Sequence, residues 1–114
     1  MSKLSTHVLD TCHGRPAAGL TIELFRLESG GARTLLQTAA TNADGRTDAP
    51  LLSGEAVQAG SYELLFHLGA YFQSLGVPSP FLDEVPVRFA MEAGGSYHVP
   101  LLASPWAYTT YRGS

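Results

Sequence analysis

The chain has 114 residues, seven of them Lys or Arg and ten Asp or Glu, for a formal charge of −3, with 45% hydrophobic residues and one cysteine. That length supports a single domain around a single core. The mild acidity and scattered basic residues argue against nucleic acid, and no apolar run approaches the roughly 20 residues of a membrane span.

Cys12 alone excludes an intramolecular disulfide and a thiolate zinc cluster. The opening Met-Ser-Lys-Leu-Ser-Thr-His lacks an apolar h-region, so no signal peptide is expected and a reducing compartment, the cytoplasm, is the expected location.

Residues 4–9 alternate Leu4, Thr6, Val8 against Ser5, His7, Leu9, which predicts a half-buried strand with His7 on its second face. Asp10 to Ala18 reads as a turn-rich link broken at Gly14 and Pro16. A second strand runs from Leu20 to about Glu28, a hairpin loop covers Ser29–Ala32, and a third strand returns over 34–41. Asn42–Ala43–Asp44–Gly45 is a tight turn, with Asp-Gly suited to its positive-φ positions, and Arg46 follows at once. Residues 51–59 suggest a short edge strand and a loop.

Ser61 to Leu68 gives the clearest strand, with Tyr62, Leu64, Phe66 and Leu68 on one face and Glu63 and His67 on the other. Residues 70–75 suit one or two helical turns, closed by Gly76 and Val77–Pro78–Ser79–Pro80. Val85 to Met91 alternates as another strand, and Pro86 marks it as an edge or a bulge. Gly94–Gly95 turns into a strand over 97–102, and a last strand is expected over 106–112 beyond a hinge at Ser104–Pro105. Seven or eight short strands with almost no helix predict an all-β sandwich.

In such a fold the polar residues on strand faces are the informative ones. His7, His67 and His98 lie on predicted strands, and Arg46 stands at a loop–strand junction. Each histidine taken alone is read as a surface or hydrogen-bonded structural residue; convergence with an Arg and a Tyr would give a site. A neutral imidazole can take a proton from water, and a guanidinium can hold an imide and stabilise an oxyanion. A Tyr ring can stack on a flat heterocycle. The set suits hydrolysis of a cyclic amide with no metal, cofactor or covalent nucleophile.

Other constellations are weaker. The histidines lack the H-x-x-x-H and H-E-x-x-H spacings of zinc sites. Cys12 reads as an inert turn cysteine, no serine sits in a G-x-S-x-G elbow, and Gly94–Gly95 lacks the helix a phosphate loop needs. Arg26, Arg88 and Glu63 read as solvated charges on strand faces.

The chain ends on Tyr111–Arg112–Gly113–Ser114, where small polar filler is usual. This ending, Leu4-Ser5-Thr6-His7-Val8-Leu9-Asp10, Gly14-Arg15-Pro16-Ala17 and Thr41-Asn42-Ala43-Asp44-Gly45-Arg46 together resemble the 5-hydroxyisourate hydrolases. These are transthyretin-related enzymes of purine degradation, and the resemblance runs essentially end to end. Transthyretin shares their fold but lacks the Tyr-Arg-Gly-Ser ending and the His/Arg set.

The resemblance implies a transthyretin-like (prealbumin-like) Greek-key sandwich of two four-stranded sheets with one short helix. It implies a homotetramer, a dimer of dimers, with active sites in the channel between dimers. It further implies hydrolysis of 5-hydroxyisourate to 2-oxo-4-hydroxy-4-carboxy-5-ureidoimidazoline, on the route from urate to (S)-allantoin.

Carried over by position, the site residues are His7, Arg46, His98 and Tyr111 to Ser114. His98 and His7 would position and deprotonate the water, and Arg46 would hold substrate and oxyanion. Tyr111 would flank the ring, with Arg112, Gly113 and Ser114 completing a polar wall. Which histidine is the base stays open at this level. The alternative is a transthyretin-like carrier without catalysis, for which strand-face histidines and Arg46 have no use.

Overall fold

The computed structural model describes residues 2–114. In chain order the strands are β1 (Lys3–Asp10), β2 (Arg15–Pro16), β3 (Thr21–Leu27), β4 (Arg33–Ala40), β5 (Leu52–Ser53), β6 (Gly60–His67), β7 (Glu84–Met91), β8 (Ser96–Ala103) and β9 (Tyr108–Thr110). The α-helix is α1 (Leu68–Ser74). The hairpin loop after β3 turns through Gly30 and Gly31, both at positive φ, and a 3-10 turn, Gly54–Ala56, follows β5.

Two sheets stack. One runs β2-β1-β8-β9, with β5 also paired to β1, so it holds five strands where four were expected; the other runs β4-β3-β6-β7. Alternation dictates the layering. Leu4 and Val8 of β1, Ile22 and Leu24 of β3, Leu64 and Phe66 of β6 and Leu101 of β8 all point into the space between sheets and are fully buried. Each such side chain stabilises the fold by about 1.5–3 kcal/mol. The helix closes one end by burying Leu68, Tyr71 and Phe72. Pro86 sits on β7, an outermost strand of its sheet, where a residue without an N–H is tolerated.

The pairing that shapes the functional face is non-local. β1 and β8 run parallel in unbroken register from Lys3↔Ser96 to Asp10↔Ala103, which sets Ser5 beside His98. Thr6, on the buried side, donates its hydroxyl to the Val99 carbonyl at 2.7 Å. At the far end of β1, buried Asp10 accepts hydrogen bonds from the His13 backbone N–H (3.0 Å), His13 Nδ1 (2.6 Å) and the Tyr71 hydroxyl (2.7 Å). Burial by itself would raise the Asp10 pKa, but the bonds from His13 and Tyr71 outweigh it and hold it below its ordinary 3.8. Burial and the bond to Asp10 push the Tyr71 phenol up to about 12. Asp10, Cys12 and His13 offer metal-type ligand atoms within 4.8 Å of one another, yet the Asp10 carboxylate is taken up by this network.

Two expectations need correction. Glu63 is not solvated: its side chain is 2% exposed, held by Arg33 Nη1 at 2.6 Å and Arg88 Nε at 3.0 Å. A buried carboxylate needs such partners; Arg88 comes from the neighbouring strand β7, and Arg33 reaches across β3 from β4. Arg26 is likewise half-buried, its guanidinium 5.7 Å from the Tyr62 ring centroid and bonded to Gln58 and Ala59.

The last strand also stops early, at Thr110 rather than Arg112. The β8–β9 register would next oppose Tyr111 to Pro100, which has no N–H to offer. The Pro100 carbonyl accepts the Thr110 hydroxyl instead (2.8 Å), and the chain rejoins β8 at the bridge between His98 and Gly113.

Candidate active site

Three separate stretches build the site: β1, the turn leading to Arg46, and the β8–C-terminus pair. The turn is shaped by Asn42, whose Oδ1 accepts the N–H groups of Asp44 (2.9 Å) and Arg46 (3.2 Å). Gly45 adopts φ +75°, and a side chain there would run into the Val8 carbonyl oxygen. Only glycine lets the turn lie flat on β1, where the Val8 N–H donates to the Gly45 carbonyl at 2.8 Å. His7 secures the same turn: its Nε2–H donates to the Asp44 carbonyl at 2.9 Å. Arg46 is thereby presented beside the open face of β1.

A pocket of about 300 Å³ opens there, walled by Arg46, His98, Ser114, Ser5, Lys3 and the Tyr97 ring. His98 Nδ1 lies 2.9 Å from Ser5 Oγ. Burial first, and then the positive charges of Arg46, His7 and Lys3, lower the His98 pKa below its ordinary 6.5. The imidazole is therefore neutral at physiological pH. Gly113 packs against the Cδ2 edge of this ring: a Cβ at 113 would sit 2.5 Å from His98 Cδ2. Its N–H donates to the His98 carbonyl at 2.7 Å, which seats Ser114 in the pocket wall. A neutral imidazole facing a permanent cation across a small polar cleft can deprotonate water and stabilise the anion that follows.

Within the single chain not every expected residue reaches this pocket. Tyr111 and Arg112 line a second cavity of about 330 Å³ on the other side of Tyr97, among Val87, Phe89 and Val99. Arg112 lies over the Tyr97 ring, 4.8 Å from its centroid, and donates to the Ser96 carbonyl at 3.2 Å. His67 lies elsewhere, on the outer face of the other sheet, bonded to Glu23 at 2.7 Å and 3.5 Å from Glu84.

Lys3, Ser5 and Tyr97 belong to the pocket and were not singled out from the sequence. Ser5 carried a usable signal, since it shares the strand face of His7. The parallel pairing that brings Ser5 to His98 did not show in local pattern.

Fold and site together define a transthyretin-like sandwich carrying a cationic, histidine-bearing pocket where the β1–β8 sheet meets the C-terminus. A sequence profile of the HIUase/Transthyretin family matches residues 4–113, and the chain belongs to that family. It is 59% identical to the 5-hydroxyisourate hydrolase of Mesorhizobium japonicum, over 98% of this chain and 92% of that protein. The solved structure of an (S)-allantoin synthase superposes with a TM-score of 0.91 at 44% identity. The match takes in 99% of this chain, which spans only 44% of the synthase. Transthyretin from Sparus aurata superposes with a TM-score of 0.90 at 29% identity, over 99% of this chain and 97% of that one.

Proposed function

We propose that the protein hydrolyses 5-hydroxyisourate to 2-oxo-4-hydroxy-4-carboxy-5-ureidoimidazoline, a step of urate degradation towards (S)-allantoin. The observation that carries this reading is the neutral His98 and charged Arg46 in one pocket. The names of its relatives, a hydroxyisourate hydrolase and an allantoin synthase, supply the substrate.

His98 takes a proton from water, and the hydroxide adds to the C6 carbonyl. Arg46 stabilises the oxyanion by charge-assisted hydrogen bonding. The C6–N1 bond then breaks, N1 takes the proton back from the imidazolium, and C6 becomes a carboxylic acid that ionises to the carboxylate by losing its proton to solvent. His7 is the weaker candidate for the base, because it does not line the pocket that holds Arg46 and His98; its Nε2–H, bonded to the Asp44 carbonyl, holds the Arg46 turn. Ser114 and Lys3 complete the polar wall. Tyr111 and Arg112 act from the neighbouring cavity, with Arg112 bracing Tyr97.

The working form is a homotetramer, a dimer of dimers with pockets facing the channel between dimers. The transthyretin-like fold and the unpaired outer edges of β7 and β9 support this. Among the described residues no helix is long and apolar enough to cross a membrane. A cytoplasmic location is part of the same proposal, supported by a chain that has one cysteine, Cys12, and so no intramolecular disulfide.

The test is an ultraviolet absorbance time course in which urate oxidase generates 5-hydroxyisourate in the cuvette. Wild type should speed decay of the intermediate. His98→Asn should lower kcat by about 10²–10⁴-fold, and Arg46→Gln by about 10²–10³-fold. Decay no faster than buffer with folded wild-type protein would overturn the hydrolase and favour a carrier. Near-normal turnover by both variants would overturn the assignment of roles.

A further inference from the structure

We propose that Ser5 is a positioning residue that fixes the tautomer of His98, holding the proton on Nδ1 and leaving the lone pair on Nε2 to receive the proton of water. The inference rests on the reading of His98 as the base and adds the atom that acts and the group that selects it.

A neutral imidazole carries one N–H and one lone pair, and the partner of one nitrogen decides which is which. His98 Nδ1 has a partner, Ser5 Oγ at 2.9 Å; Nε2 has none among the described residues. A hydroxyl can serve such a contact in either direction, so distance alone does not orient it.

The role of His98 orients it. Arg46 and His98 share the pocket, and Nε2 is the ring nitrogen without a protein partner among the described residues. A base that takes the proton of water keeps its lone pair on that open nitrogen. The proton therefore belongs on Nδ1, where Ser5 Oγ accepts it. Thr6, the neighbouring hydroxyl, serves the Val99 carbonyl on the opposite face of the strand, so Ser5 is the one of the two that meets His98.

Backbone register fixes the pair. Ser5 and His98 are directly opposed in the β1–β8 ladder, and Gly113 presses on the other side of the ring. The imidazole is held between the Ser5 hydroxyl at Nδ1 and a glycine against its Cδ2 edge. Ser5 touches neither water nor substrate in this scheme; it acts through His98.

Long-range proton–nitrogen correlation spectra of histidine-labelled protein report the tautomer directly, with the His98 signals assigned from their loss in His98→Asn. Wild type at mildly alkaline pH should show Nδ1 protonated and Nε2 bare. Ser5→Ala should move His98 towards a mixture or the Nε2–H form and lower kcat by about tenfold with little change in KM. Ser5→Thr, which keeps a hydroxyl at that position, should restore both the spectrum and most of the rate.

A wild-type His98 protonated on Nε2, or a Ser5→Ala spectrum identical to wild type, would overturn the proposal. So would equal kcat losses in the Ala and Thr variants. The spectra need no turnover, so a wild type inactive on 5-hydroxyisourate would sink the functional reading while the tautomer was still decided.

Discussion

His98 is a histidine whose surroundings push against its charged form, and that has consequences at two pH-dependent observables. The folded protein holds the ring neutral below the usual 6.5, because burial and then Arg46, His7 and Lys3 oppose a further positive charge. As a base it should keep working into mild acid, so the acid limb of kcat/KM should fall below pH 6.5. Stability follows from the same shift. The unfolded chain protonates this histidine near 6.5 and the folded chain resists until lower pH, so the unfolded state binds more protons in that window. Stability from this group is complete above 6.5, declines as pH falls towards the folded value, and levels off below it. Urea midpoints between pH 7 and 5 should therefore fall less steeply for His98→Asn than for wild type. An equal slope would mean that His98 ionises as freely folded as unfolded.

At the scale of strands and turns, much of the architecture followed from alternation, and the exceptions have identifiable causes. The Asn42–Arg46 turn was legible because Asp-Gly before Arg marks a tight reversal; of the two, Gly45 alone takes a positive φ, and it must also clear Val8. The end of β9 was misplaced because the missing rung belongs to Pro100, a residue of the partner strand. Glu63 was misread because alternation assigns a face without saying what the other strands of the sheet bring to it; Arg88 arrives from adjacent β7, and Arg33 from β4, beyond β3. This ion triad predicts a specific energetic pattern. Glu63→Gln leaves two arginines facing each other across an amide, and it should destabilise by about 2 kcal/mol, below the usual cost for a buried pair because both arginines reach solvent. Arg33→Ala should cost more than Arg88→Ala, because Arg33 makes the shorter bond and also stacks on Phe25, 4.1 Å from the ring centroid. A double-mutant cycle by urea unfolding measures each coupling. Coupling near zero for both would show the triad to be incidental.

Assembly is decided at the surface of the whole molecule, where the site and the unpaired edges lie together. The pocket opens on the β1–β8 sheet, and β7 and β9 each end a sheet with one unpaired edge. Such edges invite pairing with another copy. Large apolar side chains are also left uncovered in the single chain: Phe81 and Trp106 are 69% and 62% exposed and stack on each other with centroids 6.5 Å apart. An aromatic pair of this size on a monomer's surface would lose little by being covered and gain about 25 cal/mol for each Å² removed from water. Cover of this pair is an expected outcome of the proposed tetramer. Light scattering behind size exclusion should then give four times the 12.1 kDa chain mass. Trp106 is the sole tryptophan, so intrinsic fluorescence reports on this patch without a label. Its emission should be blue-shifted at micromolar protein and move to the red when dilution lowers the scattering mass. A monomer mass, with solvent-exposed emission at every concentration, would show that the pocket works as a single-chain site and that edges and aromatics stay open to water.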